Sequence, residues 1–204
     1  MTDAPASRSW QRLQLLGPTF TAGQAREAGL WSRDLRYLAD AGVTIEISRG
    51  VYRRAKAPET AHLDLIAVCM RAPRAVICDE SALALHELID EIPAAVHIAI
   101  RRGTRRPAIS YPPVRVAQYA AATFDLGIEQ FEAAAGEIVP VYGAARSVND
   151  AMRHRRRIGE TLALSALGRY LRRTGPAGVN ELQQIARDLG TLELIRPAIE
   201  AVIA

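Results

Sequence analysis

Apolar residues recur along the first part of the chain at two different periods, and the change of period separates the elements. Trp10, Leu13 and Leu16 fall at helical spacing within residues 8–16, and Gly17-Pro18 ends that run. Thr21 with Gln24 three residues later makes a capping box, in which each side chain satisfies an orphan backbone N–H of the other; Gly29 stops this second helix. Ser32 stands where it would cap a third helix, SRDLRYLADAG, with Asp34 near its positive end and Gly42 as its stop. In that helix Leu35, Leu38 and Ala39 share one face, while Arg33, Arg36, Tyr37 and Asp40 share the other. Next, VTIEISRGVYRRA offers two β-prone runs around Arg49-Gly50, the pattern of a hairpin. A helix, two short helices at helix-turn-helix spacing and a hairpin are the element order of a winged helix, expected here over residues 1–57.

AKAPET (55–60) reads as a linker, and a helix follows over about 59–71. AVIC (75–78) is a strand leading to Asp79, placed as the N-cap of a helix ESALALHELI (80–89). AAVHIAI (94–100) is a buried strand; the loop RRGTRRP follows, then strands at 113–119, IEQFE and EIVPVYG. From Ala144 the period is helical, with TGPAG separating GETLALSALGRYLRR from a helix that Asn180 and Gln183 would cap, and Pro197 kinking or starting the last one. The expected fold class is therefore α+β. An N-terminal winged helix-turn-helix domain (1–57) precedes a mixed α/β C-terminal domain (58–204), its sheet at about 74–142 and its helical bundle at about 144–203.

Charge adds a further distinction. The chain has 204 residues and a formal net charge of only +4, with Lys56 the single lysine against 25 arginines. Residues 1–57 are net +4, 58–100 net −5, 101–157 net +5, and 158–204 balance. That segregation suggests a basic N-terminal module joined to a part with acidic and basic faces of its own. With one lysine, Schiff-base chemistry and a P-loop are nearly excluded. Cys69 and Cys78 form no metal-type pair and suit a reducing compartment. MTDAPASRSWQRL has no signal-peptide core and no apolar run reaches membrane-spanning length, so a cytoplasmic protein without membrane association is expected.

Catalytic chemistry is sparse. His62, His86, His97 and His154 share no ligand spacing, and Asp79, Glu80, Asp90 and Glu91 read as caps and a solvated acidic face. No G-x-S-x-G, G-x-G-x-x-G or H-E-x-x-H pattern occurs. The expectation is a protein that is not an enzyme and has no cofactor and no metal; the competing enzymatic reading would act on nucleic acid through Asp79, Glu80 or His86. The arginine groups are more suggestive. RRGTRRP supplies Arg101, Arg102, Arg105 and Arg106, and RHRRR supplies Arg153, Arg155, Arg156 and Arg157. Their planar forks suit phosphate or carboxylate, so they are candidate contacts to nucleic acid or to an acidic partner.

RGVYRR, AVICDESALALHEL, RRGTRRP and VYGAARSVNDAMRHRRRIGETLALSALGRYLRR occur in that order, and the chain from about 15 to 200 resembles the AbiEi antitoxins of AbiE-type, type IV toxin–antitoxin systems, the MenA antitoxins among them. Ala144-Ala145 departs from the Ser/Thr-Pro that many members carry there. The resemblance implies an antitoxin of a phage-defence operon. Its N-terminal domain would bind inverted repeats in double-stranded promoter DNA and repress its own transcription. Its C-terminal domain would neutralise an AbiEii-like nucleotidyltransferase toxin, by direct contact or indirectly. The expected DNA contacts are Ser32, Arg33, Arg36 and Tyr37 from the third helix, with Arg49, Arg53 and Arg54 from the hairpin. No heptad seam calls for an obligate dimer, so a monomer that assembles on repeated sites is expected. A stand-alone winged-helix regulator with a ligand-sensing C-terminal domain is the alternative, and it would need a pocket.

Overall fold

The protein is described by a computed structural model covering residues 5–203. It is a mixed α+β fold whose internal contacts divide it into two units. The first comprises the chain up to Pro73 together with Pro107–Pro112 and Glu132–Val139; the second holds Arg74–Arg106, Pro113–Phe131 and Pro140 onward. The boundary drawn at 57/58 from sequence thus falls inside the first unit.

In the first unit α1 (Pro5–Leu13), β1 (Thr19–Thr21), α2 (Ala22–Glu27), α3 (Ser32–Asp40), β2 (Thr44–Ser48), β3 (Val51–Arg54) and α4 (Leu63–Arg71) follow in order. The central strand β3 runs antiparallel to both β1 and β2, with Phe20 opposite Tyr52 and Tyr52 opposite Glu46. The short strand β1 escaped the sequence reading because three residues cannot display a period. Leu13, Phe20, Ala25, Leu30, Leu35 and Leu38 form the core beneath this sheet, and the Phe20 and Tyr52 rings stack with centroids 6.0 Å apart. Each such leucine contributes about 1.5–3 kcal/mol by burial.

Local bonds fix the helices as the sequence suggested, with one change. Thr21 and Gln24 form the capping box, the Gln24 amide donating to Thr21 Oγ1 at 3.2 Å and the Thr21 amide to Gln24 Oε1 at 2.8 Å. For α3, however, the cap residue is Trp31 and not Ser32: the Trp31 amide donates to Asp34 Oδ2 at 2.9 Å. The other Asp34 oxygen accepts from Ser9 of α1 at 3.1 Å, and Arg12 of α1 donates to the Gly29 carbonyl at 2.7 Å. Thus α1 braces the turn between α2 and α3 and sets the direction of α3.

The second unit carries a five-stranded sheet of order β6-β5-β4-β8-β7, from β4 (Val76–Ile77), β5 (Val96–Arg101), β6 (Val114–Tyr119), β7 (Ile128–Ala134) and β8 (Glu137–Tyr142). The far end of the β7–β8 hairpin, residues 132–139, counts with the first unit. β4 pairs antiparallel with β5 and parallel with β8, and β5 pairs parallel with β6, which makes β6 an edge. Its helices are α5 (Asp79–Leu85), α6 (Ala144–Arg153), α7 (Arg155–Ile158), α8 (Glu160–Asp188) and α9 (Leu192–Ile203). Ala145, Ala151, Ala163 and Ala166 let α6 and α8 approach closely around Val148, Leu167 and Leu182. The two helices expected on either side of TGPAG are one continuous run, broken at Gly175 (φ 59°, ψ −149°). Pro176 is tolerated because the break places it at the start of a new helical segment, where its missing N–H has no carbonyl to bond. Asn180 and Gln183 therefore lie within a helix and do not start one.

Candidate nucleic-acid interface

The outer face of α3 carries the side chains expected of it. Ser32, Arg33, Arg36 and Tyr37 are exposed, with Tyr37 48% accessible, while Leu35 and Leu38 are buried behind them. No carboxylate among the described residues forms an ion pair with Arg33 or Arg36, so both guanidinium groups are open to a partner. Trp31, 61% exposed at the head of the same helix, was not among the expected contacts. An exposed indole directly before a row of arginines was the available signal.

The hairpin is tightly built. Two residues, Arg49 and Gly50, connect β2 to β3, with a bulge between Glu46 and Ser48. Gly50 takes φ +73°, a conformation that a side chain would strain, and its amide donates to Glu46 Oε1 at 2.7 Å. Its carbonyl accepts from the Ala22 amide at 2.8 Å, and the Arg49 carbonyl accepts from Arg71, which also donates to the Ala108 carbonyl at 2.8 Å. The backbone at the tip is pinned, and the Arg49 side chain is exposed.

Two of the three hairpin arginines are not where a DNA contact needs them. Arg53 is 4% exposed; it donates to Thr19 Oγ1 at 2.7 Å and to the Pro58 carbonyl at 2.6 Å, and it forms an ion pair with Glu137. The reason is strand geometry: Arg53 lies on the face of β3 that Val51 buries. Arg54, half-buried on the opposite face, donates to the carbonyls of Leu13 and Leu16 and so closes the C-terminal end of α1. Both assignments to DNA binding are withdrawn on these contacts.

The second unit brings the two arginine-rich stretches to one place. Arg102 and Arg106 from the loop after β5, and Arg153, His154 and Arg157 from the end of α6 and from α7, line a single concavity of about 430 Å³ against the edge strand β6, with Arg146 also in its wall. Arg102, Arg106 and Arg153 are exposed and have no carboxylate partner among the described residues. Arg157 donates to Asp79 Oδ2 at 2.8 Å, His154 Nδ1 lies 3.8 Å from Asp79 Oδ1, and the Tyr119 hydroxyl donates to the same oxygen at 3.3 Å. Asp79 was expected to be a helix cap. Instead Cys78 is the cap residue, and Asp79 opens α5 in the left-handed region at φ 45°, 3% exposed. Burial pushes its carboxyl up, but the nearby His154 ring and the charge and hydrogen bond of Arg157 outweigh that and hold it below the ordinary value.

Beneath this lies a second pair that the sequence reading missed. Arg146 Nε donates to Asp150 Oδ2 at 2.7 Å, both side chains being almost wholly buried, and Arg146 Nη1 donates to the carbonyls of Thr123 and Leu126 at 3.0 Å. The Arg146 guanidinium lies 4.6 Å from the Tyr142 ring centroid. Its signal was the i,i+4 spacing of Arg146 and Asp150 within α6. Burial pushes the Asp150 carboxyl up, with Arg146 offsetting part of that rise. It also pushes the Tyr119 phenol far up, so that phenol stays a neutral donor to Asp79.

The remaining candidates sort by what they touch. Arg101 pairs with Asp125 at 2.6 Å and lies 4.7 Å from the Phe124 ring centroid. Arg155 donates to the Met152 carbonyl at 2.9 Å and lies 3.7 Å from Glu160. Both are occupied within the protein and do not join the pocket; Arg105 and Arg156 are exposed outside it. His86 Nε2 bonds the Tyr142 carbonyl at 2.9 Å, and the His97 ring lies 3.4 Å from Ser81 Oγ and 3.9 Å from Glu80, so neither ring is hydrogen-bonded to Asp79. Among the described residues, no group of three His, Cys, Asp or Glu side chains is placed to hold a metal ion, and no helix is long and apolar enough to cross a membrane.

Compared with known proteins, the sequence matches no family model and no curated relative.

Proposed function

We propose that the first unit is a winged helix and that the protein is a DNA-binding autorepressor acting as the antitoxin of an AbiE-type operon. The observation that carries the DNA-binding part is the element order α1-β1-α2-α3-β2-β3 with the sheet order β1-β3-β2, joined to an α3 whose unpaired Arg33 and Arg36 face outward beside Tyr37. In this reading α3 enters a major groove of promoter DNA, where a bidentate arginine discriminates a base pair by about 1–3 kcal/mol. Arg49, at the pinned hairpin tip, meets a phosphate and carries no sequence information. Trp31 joins the contact surface, and Arg53 and Arg54 leave it. The antitoxin part rests on the ordered motifs shared with the AbiEi antitoxins. Its partner is an AbiEii-like nucleotidyltransferase toxin, and both act in the cytoplasm.

The test is binding of the full protein to its own promoter, followed by fluorescence anisotropy across a salt series. Arg36→Ala is expected to lose about 1–3 kcal/mol on the preferred repeat and little on random DNA. Arg49→Ala is expected to weaken both alike and to reduce the salt slope by about one unit. Equal effects of the two changes on promoter and random DNA would overturn this division of roles. Growth rescue on co-expression with a nucleotidyltransferase-like neighbouring reading frame tests the antitoxin part separately; failure to rescue would leave a regulator alone.

A further inference from the structure

Two stretches of sequence, RRGTRRP (101–107) and RHRRR (153–157), converge on one cavity, and their charges are not balanced there. Arg102, Arg106, Arg146, Arg153 and Arg157 supply five guanidinium groups around it, with His154 among them. Asp79 and Asp150 are the carboxylates bonded to these groups, which leaves three positive charges before His154 is counted. Like charges gathered in a concavity repel one another, and the arrangement is stable only if water or an anion screens them. Arg102, Arg106 and Arg153, which have no acceptor among the described residues, hold their donors ready for one.

Part of the arrangement, the wall that carries Arg157, is also held in advance. Asp79 sits in a backbone conformation uncommon for a residue with a side chain, and its buried carboxylate fastens Arg157 and His154 at the pocket wall. Arg146 is fixed from behind by Asp150 and two backbone carbonyls. Donors fixed by buried partners lose little freedom when they bind, so affinity is not spent on ordering them. A solvated basic face built for solubility requires none of this scaffolding.

Shape narrows the ligand. The cavity, about 430 Å³, lies in the range of small-molecule sites, and its cationic groups come from two separate places in the chain, the loop after β5 and the α6–α7 junction. A duplex backbone is met by donors spread along a surface, whereas donors gathered around one hollow suit a compact polyanion. Several arginine forks around a compact ligand match adjacent phosphate groups, each fork taking two oxygens.

We infer that this pocket binds a small molecule carrying two or three linked phosphate groups, the nucleoside di- and triphosphates among them, with Arg102, Arg106, Arg153 and Arg157 as its phosphate ligands. The site is independent of the promoter-binding reading and stands or falls by its own measurement.

The experiment is isothermal titration of the full protein with inorganic pyrophosphate, ATP and AMP, repeated with duplex DNA as a fourth titrant. Pyrophosphate and ATP are expected to bind, and AMP at least tenfold more weakly. Comparable binding of pyrophosphate and ATP assigns recognition to the phosphates alone; tighter ATP adds a contact to the nucleoside. Arg106→Gln and Arg153→Gln each remove an exposed side chain that supports no fold contact, and each is expected to weaken pyrophosphate binding at least tenfold. Arg106→Lys, which keeps the charge and loses the fork, is expected to fall between. Arg156→Gln removes the same charge from α7 outside the pocket and is expected to leave binding within twofold. Absence of pyrophosphate and ATP binding overturns the inference, and so does an equal loss in Arg156→Gln. Duplex DNA that binds with the same dependence on Arg106 and Arg153 and displaces pyrophosphate would instead make the cavity part of a polynucleotide surface.

Discussion

Arg53→Met separates two opposed accounts of the hairpin, one in which this arginine meets DNA and one in which it holds the fold. The side chain of Arg53 is 5% exposed and that of its partner Glu137 is 9% exposed. Removing the guanidinium leaves the Glu137 carboxylate without its charge partner in a site shielded from water, and it takes the donors away from Thr19 Oγ1 and the Pro58 carbonyl. Breaking one half of a buried ion pair costs about 3–5 kcal/mol, mostly through the charge left behind. For a chain of this size that lowers the thermal midpoint by about 6–20 °C. Methionine fills most of the aliphatic volume, so little of the loss comes from a cavity.

Urea denaturation followed by circular dichroism reads the difference as a shift of midpoint at unchanged slope. The second arm is a double-mutant cycle with Glu137→Leu. If the cost is the orphaned carboxylate, Arg53→Met with Glu137→Leu is expected to recover most of it, because an apolar pair replaces a buried ionic one at little net cost. Anisotropy on promoter DNA, at a temperature where the variant is folded, is expected to change by less than twofold. The reasoning is refuted if Arg53→Met loses under about 1 kcal/mol of stability while DNA affinity drops.

Two further outcomes follow from the buried titratable groups. Asp79 has a folded-state pKa below its unfolded one, so its share of stability is present above the unfolded value and drains away as pH falls through the folded value. Asp79→Asn, which tolerates the same left-handed backbone, is expected to flatten the fall of the urea midpoint between neutral pH and about pH 3; an unchanged slope would remove Asp79 as its cause. Burial pushes the Cys69 thiol to about 12 and the Cys78 thiol well above its ordinary value. Native protein at pH 8 is therefore expected to react with a disulfide reagent at least a hundredfold more slowly than unfolded protein, and rapid labelling of the native state would contradict it.

How much of this could be read from the chain depends on distance along it. The capping box at Thr21 and Gln24, the glycine turn at Gly50 and the sorted faces of α3 are local, and the sequence indicated each of them. The fate of Arg53 was also within reach. Period two places it on the same face of the strand as Val51, so burial of Val51 carries Arg53 inward with it, whatever its charge. Asp79 and Arg157, by contrast, are 78 positions apart, and no local pattern links a residue that opens one helix with one in a short helix far downstream. Each arginine stretch was visible as a group of charges. That they share one cavity, and that Arg101 and Arg155 of the same stretches do not, is decided by the fold.

The interleaving of the two units carries a consequence for how such a protein changes over time. The chain passes between them five times. The continuous stretch up to Pro73 therefore lacks Tyr111, whose carbonyl accepts from Ser48 at 2.6 Å, and Glu137, which neutralises Arg53. A module joined by one linker can be moved to a new protein in a single recombination event. This one cannot, because the residues that complete it are scattered through the gene of its neighbour, and the two halves are bound to be inherited and altered together.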